Sequence, residues 1–236
     1  MELLNLLSQE QDNGLNRSLL SSLVLLENKL KLANCPVAEM TKESVSKLLS
    51  STDTKKTELA ELFTHINSII DPQQPETEIQ SLSTTLKQMG YMVNDSFWKL
   101  VEKDDTLEIY GPSMRQIYRN LNFYKMTGYS LLDLSSFEWF ELYQRNNLIT
   151  QQMFDVAGNA LTQGLDSHQL NIPEHILIEN TRTGYTQNFQ PRAGLVKFRY
   201  ISSLYSLNDK KPVGLVVTSK VSVLAVGDEV KNYGIA

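Results

Sequence analysis

Apolar positions in the first ninety residues recur at helical spacing. Leu19, Leu23, Leu26 and Leu30 follow intervals of four, three and four, a seam of the kind that faces a partner helix. The Leu-rich stretch 1–34 carries no proline, and Asn34 and Pro36 end it. A shorter helix is predicted over 42–51, with Val45, Leu48 and Leu49 on one face. The next starts near Asp53 or Thr54 and runs to Ile70. Leu59, Leu62, Phe63, Ile66, Ile69 and Ile70 form its stripe, and Asp71-Pro72 stops it. Pro75 suits a first helical turn, and Ile79, Leu82, Leu86 and Met89 continue the rhythm to Gly90. Four amphipathic helices cannot each bury a stripe alone, so residues 1–92 read as a helical bundle or dimerisation module.

The period changes near residue 93. Asn94 or Asp95 caps a short helix holding Phe97, Trp98, Leu100 and Val101. Leu107 to Tyr110, a Gly111-Pro112 turn and Met114 to Tyr118 read as a hairpin. Short helical pieces follow over 121–144. A longer helix over 146–164 places Ile149, Met153, Val156, Ala157, Ala160 and Leu161 on one side and ends at Gly164. Three strands close the pattern: Ile176 to Ile178 before a Thr183-Gly184 turn, then 195–204, then 213–223 after a loop at Asn208 to Pro212. This order predicts an α+β fold, an antiparallel sheet over 93–225 with helices on one face. Residues 226–236 read as a tail.

Charge and composition remove whole classes. The chain has 236 residues, 22 basic against 27 acidic, and a net charge of −5. Neither half is basic, which argues against a nucleic-acid grip. The single cysteine, Cys35, excludes an internal disulfide framework and a multi-cysteine zinc site. No apolar run approaches the ~18 residues of a membrane span. The N-terminus lacks the basic segment of a secretory leader, so a cytoplasmic protein is expected. Nucleotide-binding glycine signatures, the His-Glu-x-x-His zinc motif and the Gly-x-Ser-x-Gly elbow are absent, so no enzyme is expected. His65, on the helix over 53–70, lacks the neighbours of a phosphoacceptor histidine. His168 and His175 lack a carboxylate cluster beyond Asp166 and Glu174, so no metal site is expected.

Asn120, Phe123, Gly128, Tyr129 and Ser130, followed by Trp139 and Leu142, carry a spacing that resembles PAS sensor domains. The likeness covers about residues 95–225. Two departures stand out: Gly111-Pro112 lies farther from Asn120 than usual, and Ser219-Lys220-Val221 replaces the usual Asp-Ile-Thr.

The resemblance implies a five-stranded sheet and a small-ligand cavity between sheet and helices. Tyr118, Phe123, Met126, Tyr129, Trp139, Phe140, Tyr143, Met153 and Ala157 are its candidate ligand-binding residues. Simple core packing of the same aromatic residues is the competing reading. The ligand is unknown. Relatives that form a flavin–cysteine adduct or bind cinnamate need a cysteine in this domain, and Cys35 lies upstream of it. Haem-binding relatives place a histidine on the long helix, which has none; His168 lies just beyond its end. The expectation is a bacterial-type sensory or regulatory protein. Its PAS-like domain binds a small molecule or a protein partner and alters helix packing or homodimerisation through the N-terminal helices. The alternative is an interaction module with a filled core.

Overall fold

Leu19, Leu20, Leu23, Leu26 and Leu30 of α1 (Gly14–Leu32) are at most 1 % exposed, so the predicted seam is used within the chain. This computed structural model describes residues 14–37, 40–180 and 189–233; the expectations for residues 1–13, the Thr183-Gly184 turn and the last three residues lie outside them. The seam packs against α3 (Asp53–Ile69). Thr52 caps α3 by accepting the Lys55 amide, and Asp53 sits in the first turn, where a negative charge favours the helix dipole. At the other end the Lys29 ammonium donates to the Asn67 and Ile70 carbonyls at 2.5 and 2.7 Å, satisfying acceptors the helix leaves open. Lys56 is buried but paired, with Asp53 at 2.7 Å and Asn16 Oδ1 at 3.1 Å. Between these helices lies α2 (Lys42–Leu49), capped by Thr41. Pro75–Thr77 makes one 3-10 turn and leads into α4 (Glu78–Gln88).

The sheet half follows in the order β1 (Tyr91–Met92), α5 (Asp95–Trp98), β2 (Thr106–Tyr110) and β3 (Gln116–Arg119). Three short helices come next, α6 (Leu121–Met126), α7 (Leu131–Ser136) and α8 (Trp139–Leu142), then β4 (Tyr143–Gln144) and α9 (Asn147–Gln163). The chain ends in β5 (His168–Gln169), β6 (His175–Glu179), β7 (Arg192–Ser206), β8 (Pro212–Val226) and a 3-10 segment, Gly227–Asn232, that buries Val230. The sheet is antiparallel, in the order β3-β2-β8-β7-β6-β4, with β1 and β5 also paired to β7.

Eight strands replace the expected five. The three additions, β1, β4 and β5, are two residues each. Two of them have a clear physical cause. β7 is 15 residues long, but β6 pairs only with its Ala193 to Val196 stretch. The rest of that edge would expose unpaired backbone groups. β5 covers it at Tyr200 and Ile201, and β1 at Tyr205 and Ser206. Strands this short carry no alternation for a sequence reading to detect.

Helices cover both faces of the sheet, not the one face expected. The register places Tyr118, Ile109, Val216 and Ser202 side by side in one row, and Arg119, Glu108, Val217 and Ile201 in the adjacent row. Adjacent rows project to opposite faces of a pleated sheet. On the first face Leu107, Ile109, Val216, Ser202 and Leu204 are all fully buried. That face meets the N-terminal helices, since the Tyr118 hydroxyl donates to Glu78 of α4. α3 also reaches β3, and α4 reaches β1. The second face meets α9, which lies over β7 and β8. One apolar core runs from Leu19 of α1 to Val216 of β8 and so crosses the expected junction at residue 92.

Candidate functional site

α9 begins where Asn146 accepts the Leu148 amide and ends at Gly164, close to the predicted bounds. Ile149 and Ala160 are its only buried residues, although 17 residues lie across the sheet. Met153, Val156 and Ala157 remain partly exposed beneath it. The incomplete contact leaves a cavity of about 80 Å³ between α9 and the second face of the sheet. Its floor is made by Val196, Phe198 and Ile201 of β7, with a register shift after Phe198, and by the alternate residues Leu215, Val217, Ser219 and Val221 of β8. Six of the nine sequence-predicted residues line it: Phe123, Met126, Trp139, Tyr143, Met153 and Ala157.

The other three do not. Tyr118 lies on the opposite face, as the register requires, and its hydroxyl is held by Glu78. Tyr129 is fully buried but acts as a bolt. Its hydroxyl donates to the carbonyls of Leu142 and Asn180, and its ring stacks on Phe189 at 4.9 Å. Phe140 is 51 % exposed and packs outside the cavity, against Trp139 and Phe154. Aromatic type alone does not separate a wall from a bolt or a surface ring; only the direction of the side chain does.

Three residues that define the PAS-like spacing have structural work of their own. Asn120 ends β3 and caps α6 by accepting the Phe123 amide at 3.1 Å. It also accepts the Leu107 amide and donates to the Asp105 carbonyl, which ties β2 to the turn. Ser130 and Asp133 form a capping box on α7. Gly128 has no space for a side chain, because a Cβ there would lie 2.8 Å from the Gln190 carbonyl. Its amide donates to Glu179, which also accepts the Thr127 hydroxyl and the Arg192 amide. Burial pushes the Glu179 carboxyl up to about 7, despite these bonds and the nearby Arg192.

Polar groups missed by the sequence reading stand at one end of the cavity. Glu108, Tyr110 and Arg145 all line it. Glu108 is committed within the protein: its Oε2 accepts Tyr110 Oη at 3.0 Å and the Gln116 amide. Burial raises its carboxyl above the ordinary range, against the opposing field of Arg119. Arg145 is not committed. Its guanidinium lies 4.9 Å from the Trp139 ring centre, and Nη1 has only the Met153 sulfur, at 2.7 Å. Nε is buried with no hydrogen-bond partner. Burial lowers its pKa, the direction expected for a cation taken from water. Nothing local in the sequence marks Arg145; it sits between β4 and α9 like any surface arginine.

The histidines lie elsewhere. His168 is exposed on β5, and His175 stacks on Phe198 with Nδ1 against the Pro173 carbonyl. Among the described residues one acidic group, Glu102, Asp104 and Asp105, is close enough to share a cation. Arg199 and Lys220 already occupy it, with Arg199 Nη1 2.7 Å from both Asp105 oxygens.

No described helix is long and apolar enough to cross a membrane. No protein-family model matches the chain, and no curated protein sequence matches it significantly.

Proposed function

We propose that this chain is a non-enzymatic sensory or regulatory protein whose PAS-like half binds a small molecule in the cavity under α9. The observation that carries the reading is the contrast between the two faces of the sheet. The face toward the N-terminal helices is closed, with its central residues at 0–2 % exposure. The face toward α9 keeps a void lined by apolar side chains and a few polar groups, the composition of a ligand site. The antiparallel run β3-β2-β8-β7-β6, with α6 to α9 between its hairpin and its last three strands, supports the PAS-like reading. Glu78 and Tyr118 offer a route from sheet to helices, since β3 lies beside β2, whose Glu108 and Tyr110 reach the cavity.

The cavity volume bounds the ligand. An engineered void of ~150 Å³ is the size that takes benzene. At about 80 Å³ this one takes a few heavy atoms, unless α9 moves outward. Flavin and haem do not fit it as it stands.

Native mass spectrometry of protein purified from its own host tests the reading. An added small mass that disappears on denaturation supports it. A bare polypeptide mass, with no melting shift across a panel of small metabolites, overturns it.

One observation favours the second reading, a protein-interaction module. Phe140, Phe154 and Leu148 are 51, 47 and 75 % exposed around the α8–α9 corner. Grouped exposed apolar side chains are a feature of contact surfaces. The seam of α1 is covered within the chain, so a homodimer would have to use another surface.

A further inference from the structure

The uncommitted cation in the cavity points to the chemical class of the ligand. Arg119 and Glu108 are cross-strand partners on the cavity face, and Arg145 stands at the cavity wall. Two guanidinium groups therefore face one carboxylate. That carboxylate already accepts from Tyr110 and Gln116. Among the described residues no carboxylate lies within 4.0 Å of Arg145, and Nε of both arginines is buried without a hydrogen-bond partner. Two buried cations that share one carboxylate are left one negative charge short, which is costly, and a guanidinium is shaped to hold a carboxylate in two parallel hydrogen bonds. The opposite wall, with Phe198, Val217 and Ala157, has Ser219 as its polar side chain and no cation to meet a second charge.

We propose that the cavity takes a small monocarboxylate, its carboxylate on Arg145 and its apolar body against Phe198, Val217 and Ala157. The inference rests on the ligand-binding reading above and adds the charge and polarity of the ligand. A dicarboxylate does not fit, because its second charge would lie on a floor that has no cation to meet it. An ammonium compound does not fit, because Glu108 has its partners and Arg145 would repel it.

The test is calorimetric titration of the full chain with propionate and butyrate, their neutral amides, and 1-butanol, probes of the few heavy atoms the cavity takes. The acids are expected to bind at least ~10-fold tighter than the amides, about 1.4 kcal/mol. Arg145→Met, similar in volume, should abolish that preference. Glu108→Gln should widen the preference for the acids over the amides, because it removes a negative charge beside the site. Acids and amides binding alike in the unaltered protein would overturn the monocarboxylate assignment whatever the variants do. 1-Butanol or an amide binding while both acids fail would also overturn the assignment and leave the cavity reading standing. No binding by any of the five probes would overturn both. A circular dichroism melt of Arg145→Met shows whether that variant is folded, and the acid–amide comparison does not depend on it.

Discussion

Glu78, the first residue of α4, accepts the hydroxyl of Tyr118 from the middle of β3. The same carboxyl oxygen accepts the Leu121 amide at 3.1 Å, where α6 begins. One buried acid thus joins the helical half, the sheet and the first helix of the cavity side. Burial holds its carboxyl above the ordinary range, with the Tyr118 and Leu121 bonds opposing that rise.

Tyr118→Phe tests this joint. The variant keeps the ring and removes one of the two bonds to a buried carboxyl. A loss of about 1–3 kcal/mol in urea unfolding is expected. An unchanged midpoint and slope would show that the bond contributes nothing to the packing of helices on sheet.

Glu179 sets a pH dependence. Its folded pKa is about 7, raised by burial from the 4.5 of a free glutamate. The folded chain therefore holds a proton that the unfolded chain releases between those values. The stability this group contributes is full below pH 4.5 and is lost as pH rises through about 7. The span is on the order of 3 kcal/mol. Glu179→Gln should flatten the stability curve between pH 4.5 and 7 relative to the unaltered protein. Parallel curves for the two proteins would contradict the assignment.

Ala157→Leu distinguishes a void from a packed core. Ala157 lines the cavity from the half-buried face of α9. Overpacking a filled core costs about 1–3 kcal/mol, whereas three added carbons that enter a void can be neutral. The expected outcome is a melting temperature within a few degrees of the unaltered protein, with ligand uptake lost. Severe destabilisation with no ligand ever detected would favour the interaction-module reading.

Leu26→Asp examines the α1 seam. Leu26 is fully buried on the α1 seam, so an aspartate there would carry its charge into an apolar core. A loss of several kcal/mol is expected, enough to unfold the helical half at room temperature. A variant that melts like the unaltered protein would mean that α1 is not part of the core. Light scattering on the unaltered chain separately reports whether copies associate.

The sequence by itself determined most of the elements, because their signals are local. The helical stripe of Leu59, Phe63 and Ile66 and a start near Asp53 or Thr54 are properties of a few turns; the helix runs Asp53–Ile69, with Thr52 as the cap. The long helix predicted over 146–164 is Asn147–Gln163, between an Asn cap and a Gly stop. The two long strands extend one to three residues beyond their predicted ends, to Arg192–Ser206 and Pro212–Val226, because each continues to find a partner. Tertiary structure alone decided the rest. Alternation shows that Tyr118 and Arg119 point opposite ways, but only the pairing with β2 decides which of them sees the cavity. Glu78, Glu179 and Arg145 look like ordinary charged residues in sequence. Their burial depends on residues 40 or more positions away for Glu78, 51 for the Glu179 bond to Gly128, and on the lie of α9 for Arg145. Charge carries no local periodic signal of burial, so the residues that give the cavity its chemistry become visible only when the sheet has closed.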